Sequence, residues 1–174
     1  MNKWMQLLEN FHVTKITQKT VKSFASKLLS QAEFYKGTGA TPIIRLAGRY
    51  GFMTQPDQLD SDDPVVLIGD KAYERYKQDR VILVNRTADK YAQRWAVAIA
   101  LADFILNYQQ EEQQSLGMIR ALAVELLLPT ELYLKHKAIA QYEFSDEDRQ
   151  EACLSKYFEV PSEAIAIKES LLSV

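Results

Sequence analysis

Apolar positions recur every three or four residues along most of this chain, a spacing typical of helices with one buried face. The longest such stretch predicts a mostly buried helix from Thr87 to about Tyr108. Shorter stretches predict one or two amphipathic helices within Asn2–Phe34 and a helix over Met118–Leu128. The chain is therefore expected to be mostly helical.

Prolines and small polar residues mark where further helices begin. Thr41 is expected to cap a short helix that starts at Pro42 and stops near Gly51. Ser145 with Asp148 predicts a capping box that opens a helix. Similar signals predict helices over residues 129–140 and 145–158, and a last one that begins near residue 161.

Two short apolar runs have the length of β-strands. They are Val65–Ile68 and Val81–Val84, and they could pair in a small sheet. Gly69-Asp70 suggests a turn after the first run, and the charged residues that follow suggest an exposed connection. Many helices around a small central sheet predict an α+β fold, with the sheet packed on the long helix.

Charge and cysteine content narrow the class of protein. The 174 residues have a formal charge of −2 and a sequence pI of about 5.8, so direct nucleic-acid binding is not expected. Cys153 is the only cysteine, which excludes an intrachain disulfide and favours a reducing, cytoplasmic location. The chain has no apolar run of membrane-spanning length, and Met1–Trp4 does not begin a signal peptide. We expect a cytoplasmic protein without a membrane partner.

The order of several segments resembles the ImmA/IrrE family of metallopeptidase-like proteins. The strand Ile82–Asn85 is followed on the long helix by Arg94-Trp95 and Ala98. Ala123–Pro129 matches the family's later A-x-x-L-L-M-P segment, and Phe158–Ala164 matches its tail. The similarity runs from about residue 41 to the C-terminus. It implies a zincin-like domain over residues 41–174. The N-terminal residues lie outside the similarity, and their apolar spacing predicts a helical segment over residues 1–36 that forms one compact unit with the domain.

The family's chemistry depends on an H-E-x-x-H helix, which this chain does not have. Two histidines four residues apart bind zinc on one helical face, and the glutamate activates the bound water. The resemblance places these side chains at Ile99, Ala100 and Asp103, and the family's acidic third ligand at Met118. The only histidines, His12 and His136, have no ligand four residues away. We expect no metal, no other cofactor and no catalytic residue.

Asp103 is the one polar residue at these four positions. It lies on the helical stripe that should face the core, where an unpartnered carboxylate is costly. The sequence leaves two interpretations open. Asp103 could be a structural carboxylate bonded to backbone or arginine, or it could line a cleft and bind a ligand.

The resemblance favours an inactive metallopeptidase-like protein that binds another protein. A repressor-like partner in prophage or mobile-element gene control is the context it implies. The predicted binding surface is a strand edge formed by Val81, Ile82, Leu83, Val84 and Asn85, because extended peptides pair with such edges. Two alternatives remain open: a divergent metallopeptidase with a site around Asp103, and a purely structural or oligomeric protein.

Overall fold

The structure is a computed structural model that describes residues 17–32, 39–108 and 113–173. Eight helices and three strands lie within these ranges. In chain order they are α1 (Gln18–Gln31), α2 (Ile43–Arg49), β1 (Met53–Asp57), β2 (Val65–Ile68), α3 (Asp70–Tyr76), β3 (Arg80–Asn85), α4 (Lys90–Asn107), α5 (Leu116–Leu127), α6 (Thr130–Glu143), α7 (Glu147–Phe158) and α8 (Ser162–Leu172). The fold is α+β and mostly helical, as predicted.

The three strands form one mixed sheet in the order β1-β3-β2. The predicted pairing of Val65–Ile68 with Val81–Val84 is confirmed and is antiparallel, with Val65 opposite Leu83. The third strand, β1, pairs with β3 in parallel, with Asp57 opposite Asn85.

The prediction that Val81–Asn85 forms a free strand edge is wrong. These residues belong to β3, which is hydrogen-bonded to a neighbour on each side and therefore offers no complete edge to a partner. All five are buried. A central strand is covered on both faces, and this explains the unbroken apolar run better than an edge does.

The two faces of the sheet pack against different helices. Val81 and Leu83 join Ala72 of α3 in a small cluster. On the other face, Ile82 and Val84 belong to the large core that contains α4, α5 and α1. The N-terminal helix α1 contributes Val21, Ala25, Leu28 and Leu29 to that same core.

The long helix begins later than its pattern predicts. The Asp89 carboxylate accepts hydrogen bonds from the backbone N–H groups of Tyr91 and Ala92, so α4 starts at Lys90 rather than at Thr87. Ser115 caps α5 in the same way by accepting from the Met118 N–H group.

Three local predictions differ from the structure. The connection after β2 is not simply exposed: Gly69, with a φ of 67°, leads into α3, whose Ala72 is buried. Asp146 rather than Ser145 caps α7, by accepting from the Asp148 N–H group. Pro42 precedes α2 as its N-cap, with no side-chain cap from Thr41.

Helices α6 and α8 are joined to α5 by buried polar groups. Lys168 of α8 donates to Glu125 of α5 and to Thr130 of α6, at 2.6 and 2.8 Å. Next to this pair, Glu169 accepts from Tyr133 and Lys137 of α6. None of the helices in the described ranges is long and apolar enough to span a membrane. The predicted helices before residue 17 and most of the predicted 109–114 loop lie outside the described residues.

Candidate functional site: a metallopeptidase-like helix pair without ligands

Helices α4 and α5 hold the four positions that the resemblance assigns to metal chemistry, and the two helices pack against each other. Ile99 and Met118 are half-buried and contact the large core. Ala100 is buried, with only 2% of its surface exposed. Three of the four side chains therefore pack as apolar groups, and none of the three is a zinc ligand.

Asp103 has a hydrogen-bond partner on its own helix. The side-chain amide of Asn107 donates to Asp103 Oδ1 at 2.6 Å. The other end of that amide accepts from the Gln114 N–H group at 2.6 Å, two residues before α5 begins. The chain of contacts from Asp103 through Asn107 to Gln114 joins the end of α4 to the start of α5. It supports the structural interpretation of Asp103, although the partner is an asparagine rather than backbone or arginine.

The described residues do not supply a replacement metal site. No group of three or more His, Cys, Asp or Glu side chains among them could hold a metal ion. His136 stacks on Tyr157, with ring centroids 3.6 Å apart, and His12 lies outside the described residues. The side chains present at positions 99, 100, 103 and 118 therefore do not fit the zinc that the family implies.

The sheet has two outer strands, and their free edges differ. The Gly69 N–H group donates to the Asp79 carbonyl and continues the β2–β3 hydrogen-bond ladder. Because the backbone groups of successive residues in an antiparallel pair point alternately toward and away from the neighbouring strand, those of Val66 and Ile68 point outward. Arg86 donates to the Asp57 carbonyl along the β1–β3 ladder, which by the same alternation turns residue 56 outward on β1.

Of the two outer strands that the structure describes, only β2 presents a complete outer edge. The residues turned outward on β1 are Thr54 and Pro56, and Pro56 has no N–H group to donate. On β2, Val66 and Ile68 keep both donor and acceptor, and no backbone bond within the described ranges occupies them. Val65 and Ile68 are also 40% and 37% exposed, although such edges are usually blunted by charge.

A cleft of about 370 Å³ lies against the first half of α4. It is lined by Val97 of α4, and Val97 is two residues from Ile99, about 200° around the helix. The cleft therefore faces away from Ile99, whereas Ala100, three residues after Val97, lies about 60° from it around α4. No sequence motif predicts this cleft, because its walls come from four separate segments of the chain.

Arg94 connects α4 to two distant parts of the chain. Its Nε donates to the Glu159 carbonyl after α7 at 3.0 Å, and Nη2 donates to the Thr41 carbonyl before α2 at 2.8 Å. Burial lowers the pKa of Arg94, and the Glu159 carboxylate opposes that shift. Arg94 is thus a fixed cation beside the cleft.

Comparison with known families agrees with this architecture. Residues 66–170, which include the sheet's central strand and the α4–α5 pair, match the model of the IrrE N-terminal-like domain, a peptidase family. Comparison with curated protein sequences gives no match. The match spans more than half of the 174 residues. The chain therefore belongs to the IrrE N-terminal-like family of metallopeptidase-like domains.

Proposed function

We propose that this protein has lost peptide hydrolysis and acts by binding an extended segment of another protein. The observation that supports the first half is the chemistry of the four former positions. Ile99, Ala100 and Met118 offer no imidazole or carboxylate, and Asp103 is engaged by Asn107. Without the zinc ligands and the glutamate beside the first of them, the family's way of activating water is missing.

The outer edge of β2 supports the second half. An extended peptide can add to an open strand edge, where backbone hydrogen bonds give affinity and side-chain packing gives selectivity. Four apolar residues without a charge, Val65–Ile68, form this edge, and the outward N–H and C=O groups of Val66 and Ile68 are complete. The β1 edge is the poorer choice because of Pro56.

The family resemblance suggests the kind of partner. Active relatives act on DNA-bound repressors, so a repressor-like protein of a prophage or mobile element is the partner that we propose. An inactive member could still hold such a protein without cutting it. The chain's net charge of −2 favours a protein partner over direct contact with nucleic acid.

A divergent metallopeptidase around Asp103 is the second candidate. The Asp103 carboxylate favours it, since carboxylate oxygen is a zinc ligand. Its nearest bonded neighbour is an asparagine amide, and an amide is a weak ligand for zinc.

Metal analysis tests the loss of hydrolysis. Protein purified without a chelator or a metal-binding tag should contain no stoichiometric zinc. One tightly held zinc per chain that disappears in Asp103→Ala would overturn the inactive assignment and favour the second candidate.

A matched pair of variants tests the binding edge. Ile68→Pro removes an outward N–H group without touching the ladder to β3, and Ile68→Thr keeps that group while making the side chain polar. Affinity capture from the source cell should recover the same repressor-like protein with the parent and Ile68→Thr, but much less with Ile68→Pro. Circular dichroism should show that both variants are folded. Equal recovery by both folded variants would exclude the β2 edge.

A further inference from the structure

The cleft beside α4 has an apolar wall and a polar end. Ile44, Pro56, Val84 and Val97 form the wall. Lys90, Gln93 and Arg94 form the polar end, and Thr54 also lines the cleft. Ile44 is 52% exposed, so part of the apolar wall is open to solvent. A volume of about 370 Å³ lies within the range of small-molecule sites.

The polar end has more positive than negative charge. Lys90 and Arg94 both pair with Glu159, at 3.7 and 3.6 Å. These distances exceed those of charge-assisted hydrogen bonds, so one carboxylate only loosely balances two cations. Arg94 is held by its two backbone carbonyls through Nε and Nη2, and its Nη1 makes no hydrogen bond to the described residues.

Thr54 contributes an unsatisfied group. Its Oγ1 is buried and has no hydrogen-bond partner among the described residues. Native proteins satisfy nearly all buried polar atoms, and an exception calls for an explanation. Thr54 also lines the cleft, and rotation about its Cα–Cβ bond moves the hydroxyl among three staggered positions.

We propose that this cleft binds a small apolar carboxylate. The apolar part would pack on Val84 and Val97, and the carboxylate would lie at Lys90 and Nη1 of Arg94. An inorganic anion would leave the apolar wall uncovered, and a cation would face two like charges. A free short-chain acid and the C-terminal residue of a peptide share this chemistry. None of the four former metal positions lines the cleft, so the site does not depend on the proposed function.

Two carboxylates and their neutral analogues test the site. Hexanoate represents a free acid, N-acetyl-leucine represents a peptide C-terminus, and hexanamide and N-acetyl-leucinamide are the uncharged controls. Amide chemical shifts of the full-length ¹⁵N-labelled protein should move and saturate with one or both carboxylates, with the changes centred on residues 44, 54, 84 and 90–97. The carboxylate that binds more tightly identifies the source. Absence of saturable shifts with both acids, or equal binding of the amides, would overturn the proposal.

Three variants separate the site from general electrostatics. Lys90→Glu should weaken the tighter carboxylate about tenfold, whereas Lys71→Glu, an exposed reversal on α3 at the other face of the sheet, should leave it unchanged. Thr54→Val should also weaken binding while raising the melting temperature of the free protein, because it removes an unsatisfied hydroxyl. Parent-like affinity in both Lys90→Glu and Thr54→Val would show that the cleft is not the site.

Discussion

The ammonium group of Lys168 lies 2.6 Å from a carboxylate oxygen of Glu125, and the lysine side chain is 0% exposed. Thr130 completes the contact by donating to both Glu125 oxygens at 3.0 Å and accepting from Lys168 at 2.8 Å. Burial lowers the pKa of Lys168, while the Glu125 carboxylate opposes that shift. Two charges are thus withdrawn from water at the meeting point of α5, α6 and α8.

Removing one partner of this ion pair should cost more than removing both. Lys168→Met leaves a buried carboxylate with only Thr130 to satisfy it, so we expect the free energy of unfolding to fall by about 3–5 kcal/mol. The double variant Glu125→Leu, Lys168→Met replaces both charges with apolar groups and should recover most of that loss. Urea unfolding measures both changes.

The neighbouring pair of Lys137 and Glu169 provides the control. Both side chains are partly exposed, so Lys137→Met should cost about 1 kcal/mol or less. If the double variant is no more stable than Lys168→Met alone, the cost comes from packing rather than from an uncompensated charge.

Glu169 should make stability depend on acid pH. Burial raises the pKa of Glu169, but the hydrogen bonds from Lys137 and Tyr133 together lower it by more than burial raises it. The net pKa therefore lies below the ordinary value of 4.5. A carboxylate with a lowered pKa in the folded state stabilises the protein fully above 4.5, and that contribution disappears as the pH falls through the folded value.

Glu169→Gln should therefore destabilise the protein near neutral pH, and the difference from the parent should shrink well below pH 4.5. Denaturant midpoints at several pH values measure it. Glu74→Gln, at an exposed position on α3, is the matched control and should show little effect at any pH. A Glu169→Gln deficit that stays constant with pH would contradict the assigned shift.

Restoring the metal ligands should restore zinc binding more readily than it restores peptide hydrolysis. Ile99→His, Asp103→His and Met118→Glu introduce ligands at positions that are already half-buried. Each group left unsatisfied should cost about 1–3 kcal/mol. Zinc should partly recover the melting temperature, because it binds only the folded protein.

Adding Ala100→Glu to that triple variant is the more demanding step. Ala100 is almost fully buried, so a glutamate there meets packed neighbours, and we expect a further loss of stability. The triple variant without the glutamate is the control for metal binding alone. Should zinc leave its melting temperature unchanged, positions 99, 103 and 118 do not converge on one site.

Hydrophobic spacing was sufficient to predict most helices and two strands. It did not identify the third strand, because Met53–Asp57 contains threonine, glutamine, proline and aspartate and shows no clear alternation. That omission made the neighbouring run Val81–Asn85 appear to be an edge, since a strand's neighbours are set by tertiary pairing rather than by its own residues. The helix α3 was missed for a similar reason: it has seven residues and one buried position.

Only the part of the candidate site that belongs to a sequence motif could be predicted. Motif spacing assigned Ile99, Ala100, Asp103 and Met118 to a helix pair that the structure packs together. Asn107 lies four residues after Asp103, one helical turn along α4, so a hydrogen bond between them can be predicted from the sequence as an i, i+4 pair. The cleft and the buried Lys168 pair join residues far apart in the chain, and no local pattern signals them.

The proline on the outer strand β1 restricts strand addition to the β2 side of the sheet. A filament in which the sheets of successive copies pair edge to edge needs two open strand edges on every copy, one for each neighbour. With Pro56 turned outward on one side, only the β2 side can be extended. A strand that pairs with β2 occupies this open edge, so no further strand can add to it. Two copies that paired through their β2 edges would form a closed dimer rather than a fibre. An open apolar edge can thus remain available for recognition without exposing the protein to unlimited polymerisation.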